Sequence, residues 1–116
     1  MDTLQRGNWG EKVALEYLSD KGYTTVSKGF RSRFGEIDII VKNREFLVFV
    51  EVKTRKNADF AHAREFVTKS KQKKIIATAN YYLAKRPAKL QPRFDVMEIY
   101  TQPYKINHIE NAFGVN

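Results

Sequence analysis

Three ionisable residues stand where apolar strands ordinarily exclude charge. Asp38 interrupts the run Ile37-Asp-Ile-Ile-Val41, and Glu51 and Lys53 follow directly on the apolar stretch Phe46 to Val50. A carboxylate or ammonium group in such a place is costly unless it is paired or bound to metal. Side chains alternate along a strand, so Glu51 and Lys53 share the face of Leu47 and Phe49. If the loop 42–45 closes a hairpin with Val41 facing Phe46, Asp38 lies opposite Phe49 and points to that same face. Diagonal neighbours across two strands are about 7–8 Å apart, close enough for two carboxylates to converge on one cation. A slip of one residue would carry Asp38 to the other face. An oxygen-only pair suits Mg²⁺ or Mn²⁺ rather than zinc or copper. Such an ion clamps a phosphate and activates water, and a neighbouring lysine steadies the developing charge or orients the nucleophile. The plainer alternative is an Asp38–Lys53 or Glu51–Lys53 ion pair at the end of a sheet.

Two helical features add to this set. Glu11 lies one turn before Ala14 and Leu15 and two turns before Leu18, at the edge of a buried helix face from which it can reach over the sheet. Its plainer role is a solvated acid in the first turn, favoured by the helix dipole. Gln72 falls in the middle of a face made by Ile75, Ile76, Ala79 and Leu83, with Lys71 at its edge and Lys73 and Lys74 pointing outward. Lys71 is alternatively a snorkelling side chain.

The elements that must position these residues follow from periodicity. Residues 4–21 are predicted helical, with Val13, Ala14, Tyr17 and Leu18 on one face and Gly22 as the stop. Tyr23 to Lys28 is a β-branched strand, Gly29 to Gly35 a connection, and Ile37–Val41 with Phe46–Val52 a hairpin. The unbroken apolar run Phe46 to Val50 marks a central strand buried on both faces. Arg55 to Ala63 reads as a loop and Glu65 to Ala84 as a second helix, with Pro87 and Pro92 bracketing its exit. Phe94–Tyr100 and Tyr104–Ile109 are the last strands, separated by Gln102-Pro103. The order αβββαββ predicts one α/β domain over residues 1–116, a mixed central sheet flanked by helices. Trp9, Tyr17, Phe49 and Tyr82 are assigned to the core, while Phe60 in a polar loop is the candidate for base stacking. His62 reads as a surface residue, with a loop general base as the alternative, Gly35 as a turn glycine, and Asp95 as a partner of Arg93 or a cap at the sheet end rather than a metal ligand.

Charge and composition narrow the function. The 116 residues carry 21 Lys+Arg against 13 Asp+Glu, a net +8, as in proteins that meet polyanions. Twelve basic and two acidic residues lie between Lys53 and Arg93, so that segment carries +10 and the rest of the chain −2. Charge concentrated in this way marks a surface with a partner. With no cysteine, disulfide scaffolds, thiolate metal sites, cysteine nucleophiles and iron–sulfur clusters are excluded. The two histidines are isolated, no apolar run approaches the roughly 20 residues of a membrane span, and Met1 to Gly7 has no apolar signal core. A cytoplasmic protein without a membrane partner is expected.

Gly7-x-x-Gly10-Glu11, Gly35-Glu36-Ile37-Asp38, Phe49-Val50-Glu51-Val52-Lys53-Thr54-Arg55, Lys71-Gln72 and Arg93-Phe94-Asp95-Val96 resemble, in order and spacing, the YraN family of small bacterial proteins. The resemblance runs from about Gly7 to Phe113. It implies the restriction-endonuclease-like core of the PD-(D/E)xK nuclease superfamily, close to archaeal Holliday-junction resolvases. By position it makes Asp38 the superfamily aspartate, Glu51 and Lys53 the (D/E)xK pair and Glu11 the helical acid of the resolvase-like branch. Lys71 and Gln72 match polar positions on the following helix. Ile37 stands where the superfamily has proline, Gly29 where the family has asparagine and Ala61 where it has glycine; these departures leave the acidic set intact.

The resemblance implies a Mg²⁺- or Mn²⁺-dependent endonuclease acting on DNA, including branched or structured DNA, with Asp38, Glu51 and Glu11 holding metal and Lys53 assisting attack. Arg55, Lys56, Lys69, Lys71, Gln72, Lys73 and Lys74 would contact nucleic acid. Resolvase relatives act as dimers, because two cuts on a symmetric junction need two sites. The alternatives are a nucleic-acid-binding module on the same fold that lacks catalysis, and a basic surface that docks an acidic protein.

Overall fold

The computed structural model describes residues 2–57 and 67–114. Helix α1, Thr3–Asp20, begins in a capping box: the Asp2 carboxylate accepts the Gln5 N–H at 2.8 Å and the Gln5 side chain accepts the Asp2 N–H at 3.0 Å. It ends as Gly22 predicts. Gly22 takes φ +95°, its N–H reaches Ser19 O and the Tyr23 N–H reaches Leu18 O, each at 3.0 Å, which satisfies the last carbonyls.

Strands β1 (Thr24–Ser32), β2 (Gly35–Lys42) and β3 (Phe46–Arg55) form an antiparallel meander. β1 runs four residues beyond the expected Lys28, through Gly29 at φ +63° to Ser32, and the connection to β2 shrinks to Arg33-Phe34. Tertiary pairing with β2 and packing of Phe30 against the core hold a segment whose glycine and alternating arginines carry little strand signal. In the β2–β3 hairpin the Asn43 side chain accepts the N–H groups of Glu45 and Phe46 at 2.9 and 2.7 Å. Lys42 therefore pairs with Leu47 and Ile40 with Phe49, a register displaced by two residues from the expected one. A shift of two preserves the strand's faces.

Helix α2, Lys69–Lys85, is capped by Thr68, whose hydroxyl accepts the Lys71 N–H at 3.1 Å. It starts later than the predicted helix; Glu65 lies outside the described residues. α2 carries the chain across to β4 (Gln91–Thr101), which runs parallel to β3, and β5 (Tyr104–Phe113) returns antiparallel. Pro92 belongs to β4, opposite Leu47, rather than to the helix exit. The sheet order is β1-β2-β3-β4-β5, mixed, with β3 in the middle.

Each face of the sheet buries a core. On one side Ala14 and Leu18 of α1 cover Ile39, Val41, Val48, Val50, Met97 and Ile99; on the other Ile75, Ala79 and Tyr82 of α2 cover Ile37, Ile40, Leu47, Phe49, Phe94 and Val96. β3 is buried on both faces, as its unbroken apolar run predicts. Phe49 and Tyr82 are core residues, and Trp9 and Tyr17 pack at the margin. No helix among the described residues is long and apolar enough to cross a membrane.

Candidate functional site

The β2–β3 ladder ends at Ile39↔Val50, and continuing its register sets Asp38 opposite Glu51 instead of Phe49. At this point the Asp38 carboxylate replaces the ladder: its Oδ2 accepts the Val52 N–H at 2.8 Å. Strand alternation breaks with it, since Ile37 packs in the α2-side core while Ile39 packs in the α1-side core. Asp38 thus sits where the two strands part, within reach of both layers.

Glu51 is only 7% exposed. Burial, and after it the charge and hydrogen bonding of Asp38, push its carboxyl up to about 7, against weaker opposing pulls from Lys71 and Lys53. Lys71 Nζ lies 3.5 Å from Glu51 Oε2. Lys53 follows two residues on along β3, partly buried. Glu11 comes from the opposite layer; burial first, then Asp38 and Glu36, raise its carboxyl, with Lys28 opposing. Its approach depends on Gly10, because a Cβ at Gly10 would fall on the Thr54 hydroxyl of β3. Gly7, one helical turn earlier, meets nothing within 4 Å. The structure therefore brings Asp38, Glu51 and Lys71 together, with Glu11 electrostatically coupled across the sheet. Among the described residues no three acidic or imidazole side chains converge closely enough to form a complete metal cage.

Residues 10–99, which contain this acidic cluster, match the family model described as uncharacterised protein family UPF0102. The chain belongs to UPF0102. A UPF0102 protein of Clostridioides difficile strain 630 is 46% identical over 114 residues, covering 97% of this chain and 100% of its own length. One from Caldanaerobacter subterraneus subsp. tengcongensis is 46% identical, covering 92% and 93%, and one from Thermodesulfovibrio yellowstonii is 43% identical, covering 97% and 99%.

The basic segment of this UPF0102 chain divides in the structure. Lys69, Lys73 and Lys74 on α2 and Lys56 after β3 are exposed. Arg55 instead lies 3.6 Å from Glu98 with its side chain 16% exposed, so its charge is matched within the sheet. Gln72 donates its amide to the Val67 carbonyl at 2.9 Å, tying down the entry to α2. Arg93 is buried: its guanidinium donates to both Asp95 oxygens, at 2.9 and 2.8 Å, and to Tyr23 Oη at 2.7 Å. Asp95 pairs with Arg93 as expected, and also meets His108 Nε2 at 2.8 Å and the Asn111 N–H at 3.0 Å. Phe60, Ala61, His62 and Arg64 lie outside the described residues.

One further buried acid has the same sequence context as Glu51 but is not among the expected site residues. Glu98, beside Lys53 in the β3–β4 register, accepts from Asn107 at 2.9 Å and faces Arg55. The criterion that singles out Glu51, a carboxylate inside an apolar strand, also fits Val96-Met97-Glu98-Ile99-Tyr100.

Proposed function

We propose that this UPF0102 chain is a YraN-type member of the PD-(D/E)xK superfamily, a divalent-metal-dependent endonuclease that hydrolyses phosphodiester bonds in DNA, with branched or structured DNA as its substrate class. The observation that carries the reading is the Asp38–Glu51 pair: two carboxylates pressed together at a strand split, one of them raised to about 7 by burial and by the other. A second cationic charge is what such a pair lacks. The donors are all oxygen, which fits Mg²⁺ or Mn²⁺. Asp38 and Glu51 would hold the ion, with Glu11 next in reach; when bound, it would supply positive charge to the phosphate and lower the pKa of a water.

The chain's own groups do the rest. The Val52 N–H holds the Asp38 carboxylate in place beside Glu51. Lys53 supplies a charge that steadies the phosphate as negative charge develops. Lys71, in the first turn of α2 and 3.5 Å from Glu51, adds a positive charge beside the pair, and Lys69, Lys73 and Lys74 extend the positive surface along that helix. Phosphate contacts of this type predict binding that weakens steeply with salt.

Cleavage of junction, flap and duplex DNA with Mg²⁺ or Mn²⁺ tests the reading. Activity is expected in the parent and lost in Asp38→Ala and Lys53→Ala; variants as active as the parent would overturn the mechanism. A second reading, a nucleic-acid-binding module without catalysis, is supported by the exposed lysines Lys69, Lys73 and Lys74 along α2, which would meet a phosphate backbone without any metal. Calorimetric titration with Mn²⁺ separates the two: uptake that disappears in Asp38→Ala supports the nuclease, and no uptake supports the module.

A further inference from the structure

The β1–β2 turn carries an aromatic ring that the core does not use. Phe34 is 40% exposed, and the Arg33 guanidinium sits 4.9 Å from its ring centroid. A phenylalanine that leaves two fifths of its surface in water at a hairpin tip makes its surroundings matter. Arg31, Arg33, Lys71 and Lys74 surround it in an open groove of about 450 Å³, whose one acid, Glu36, is paired with Arg31 at 2.6 Å. Lys71 links the groove to the acidic centre: it lines the groove, and its Nζ lies 3.5 Å from Glu51.

The turn is also held rigidly. The Phe34 N–H donates to Ser32 Oγ at 3.0 Å, Ser32 Oγ lies 3.0 Å from Thr78 Oγ1, and Thr78 donates to the Lys74 carbonyl at 2.9 Å. Thr78 spends its only proton on Lys74, so Ser32 must donate to Thr78, and the chain from turn to helix is complete. Gly35 seals the joint: a Cβ there would stand 3.4 Å from Lys74 Cβ, with φ at +156°. A ring carried on a backbone held in this way leaves only its own side-chain rotation to be lost when a flat partner stacks on it.

We infer that Phe34, flanked by Arg31, Arg33, Lys71 and Lys74, is a stacking site for an unpaired base of the nucleic-acid strand that enters the Asp38–Glu51 centre. An aromatic face accepts any base, and the surrounding cations meet its phosphates. Bases inside a duplex offer no free face, so the site selects strands with unpaired nucleotides. The inference rests on the nucleic-acid substrate of the proposed function and deepens it.

The test uses fluorescence anisotropy of labelled single-stranded, flap and blunt duplex DNA in chelator, where no cleavage occurs. Phe34→Ala is expected to weaken single-strand and flap binding roughly tenfold, the scale of one lost base stack, and to leave duplex binding unchanged. Phe34→Trp is expected to retain affinity. Melting curves of both variants are recorded beside the parent, and binding is compared at a temperature at which all three are folded. Equal binding of single strands by parent and Phe34→Ala overturns the stacking site and leaves the nuclease reading standing if the parent cleaves. An equal loss on all three probes also overturns it, by making Phe34 a general contact. Failure of the parent to bind any probe overturns the site and the nucleic-acid substrate together. Phe34-dependent self-association in sedimentation without DNA binding would assign the ring to a protein contact and overturn the site.

Discussion

Replacing Glu51 with glutamine should stabilise the metal-free protein at neutral and alkaline pH. In the folded chain the Glu51 carboxyl is raised from 4.5 to about 7, chiefly by burial and next by Asp38. The folded state therefore holds a proton that the unfolded chain releases, and stability falls as pH rises from about 4.5 to about 7, then levels off. Each tenfold difference in proton affinity between the two states is worth about 1.4 kcal/mol, so the ceiling is roughly 3 kcal/mol. The weaker opposing pull of half-exposed Lys71 is already contained in that shift, so its loss in the glutamine variant subtracts nothing further. A gain of up to about 3 kcal/mol is expected at pH 8, or roughly 12 °C in Tm at about 4 °C per kcal/mol for a chain of this size. Near pH 5 the advantage should shrink severalfold, because Glu51 is then protonated in the fold and only partly ionised when unfolded. Denaturation of parent and Glu51→Gln in chelator at pH 5 and pH 8 measures the difference, and titrations common to both proteins cancel in it. A glutamine variant that shows no gain at pH 8, or an equal gain at both pH values, would refute the account of two carboxylates forced together.

Two further outcomes follow from packing. Gly10→Ala should cost about 1 kcal/mol net, because overpacking against Thr54 at ~1–3 kcal/mol outweighs a helix-propensity gain of up to about 1. Gly7→Ala, with open space around it, should instead gain roughly 0.5–1 kcal/mol; denaturant midpoints that rank the two the other way would contradict the close approach of α1. Asp95→Asn should destabilise by up to about 3–5 kcal/mol, since it removes the buried partner of Arg93 and leaves only half-exposed Glu110, at 3.8 Å, to offset that charge. Burial pushes the Asp95 carboxyl up, but hydrogen bonds from His108, Arg93 and the Asn111 N–H together hold it below its ordinary 3.8, so its contribution is present above that pH and lost as acid protonates it. Urea unfolding at pH 7 and pH 3 should show a parent–variant gap that narrows in acid.

Much of the fold was legible because its signals are local. The α1 face, the Gly22 stop and the doubly buried β3 follow from periodicity and composition, and each appears as expected. The extension of β1 beyond Lys28 was hidden by Gly29 and the arginines around it, whose strand conformation comes from pairing with β2. The β2–β3 register was misplaced by two residues because Asn43, through its own side-chain hydrogen bonds, decides where the turn begins. The basic segment was legible as charge, yet burial divided it: Arg93 and Arg55 serve internal carboxylates while the α2 lysines face solvent.

The sequence alone determined which groups are present, and strand alternation determined that Glu51 and Lys53 share a face. Both follow from covalent order and a two-residue period. Only the tertiary structure decided that Asp38 meets Glu51, that Gly10 lets α1 carry Glu11 towards them, and that Lys71 arrives from α2. These contacts join residues far apart in the chain, where closure of the hairpin and the packing of two helices on opposite faces, rather than local preference, set the distance between charges.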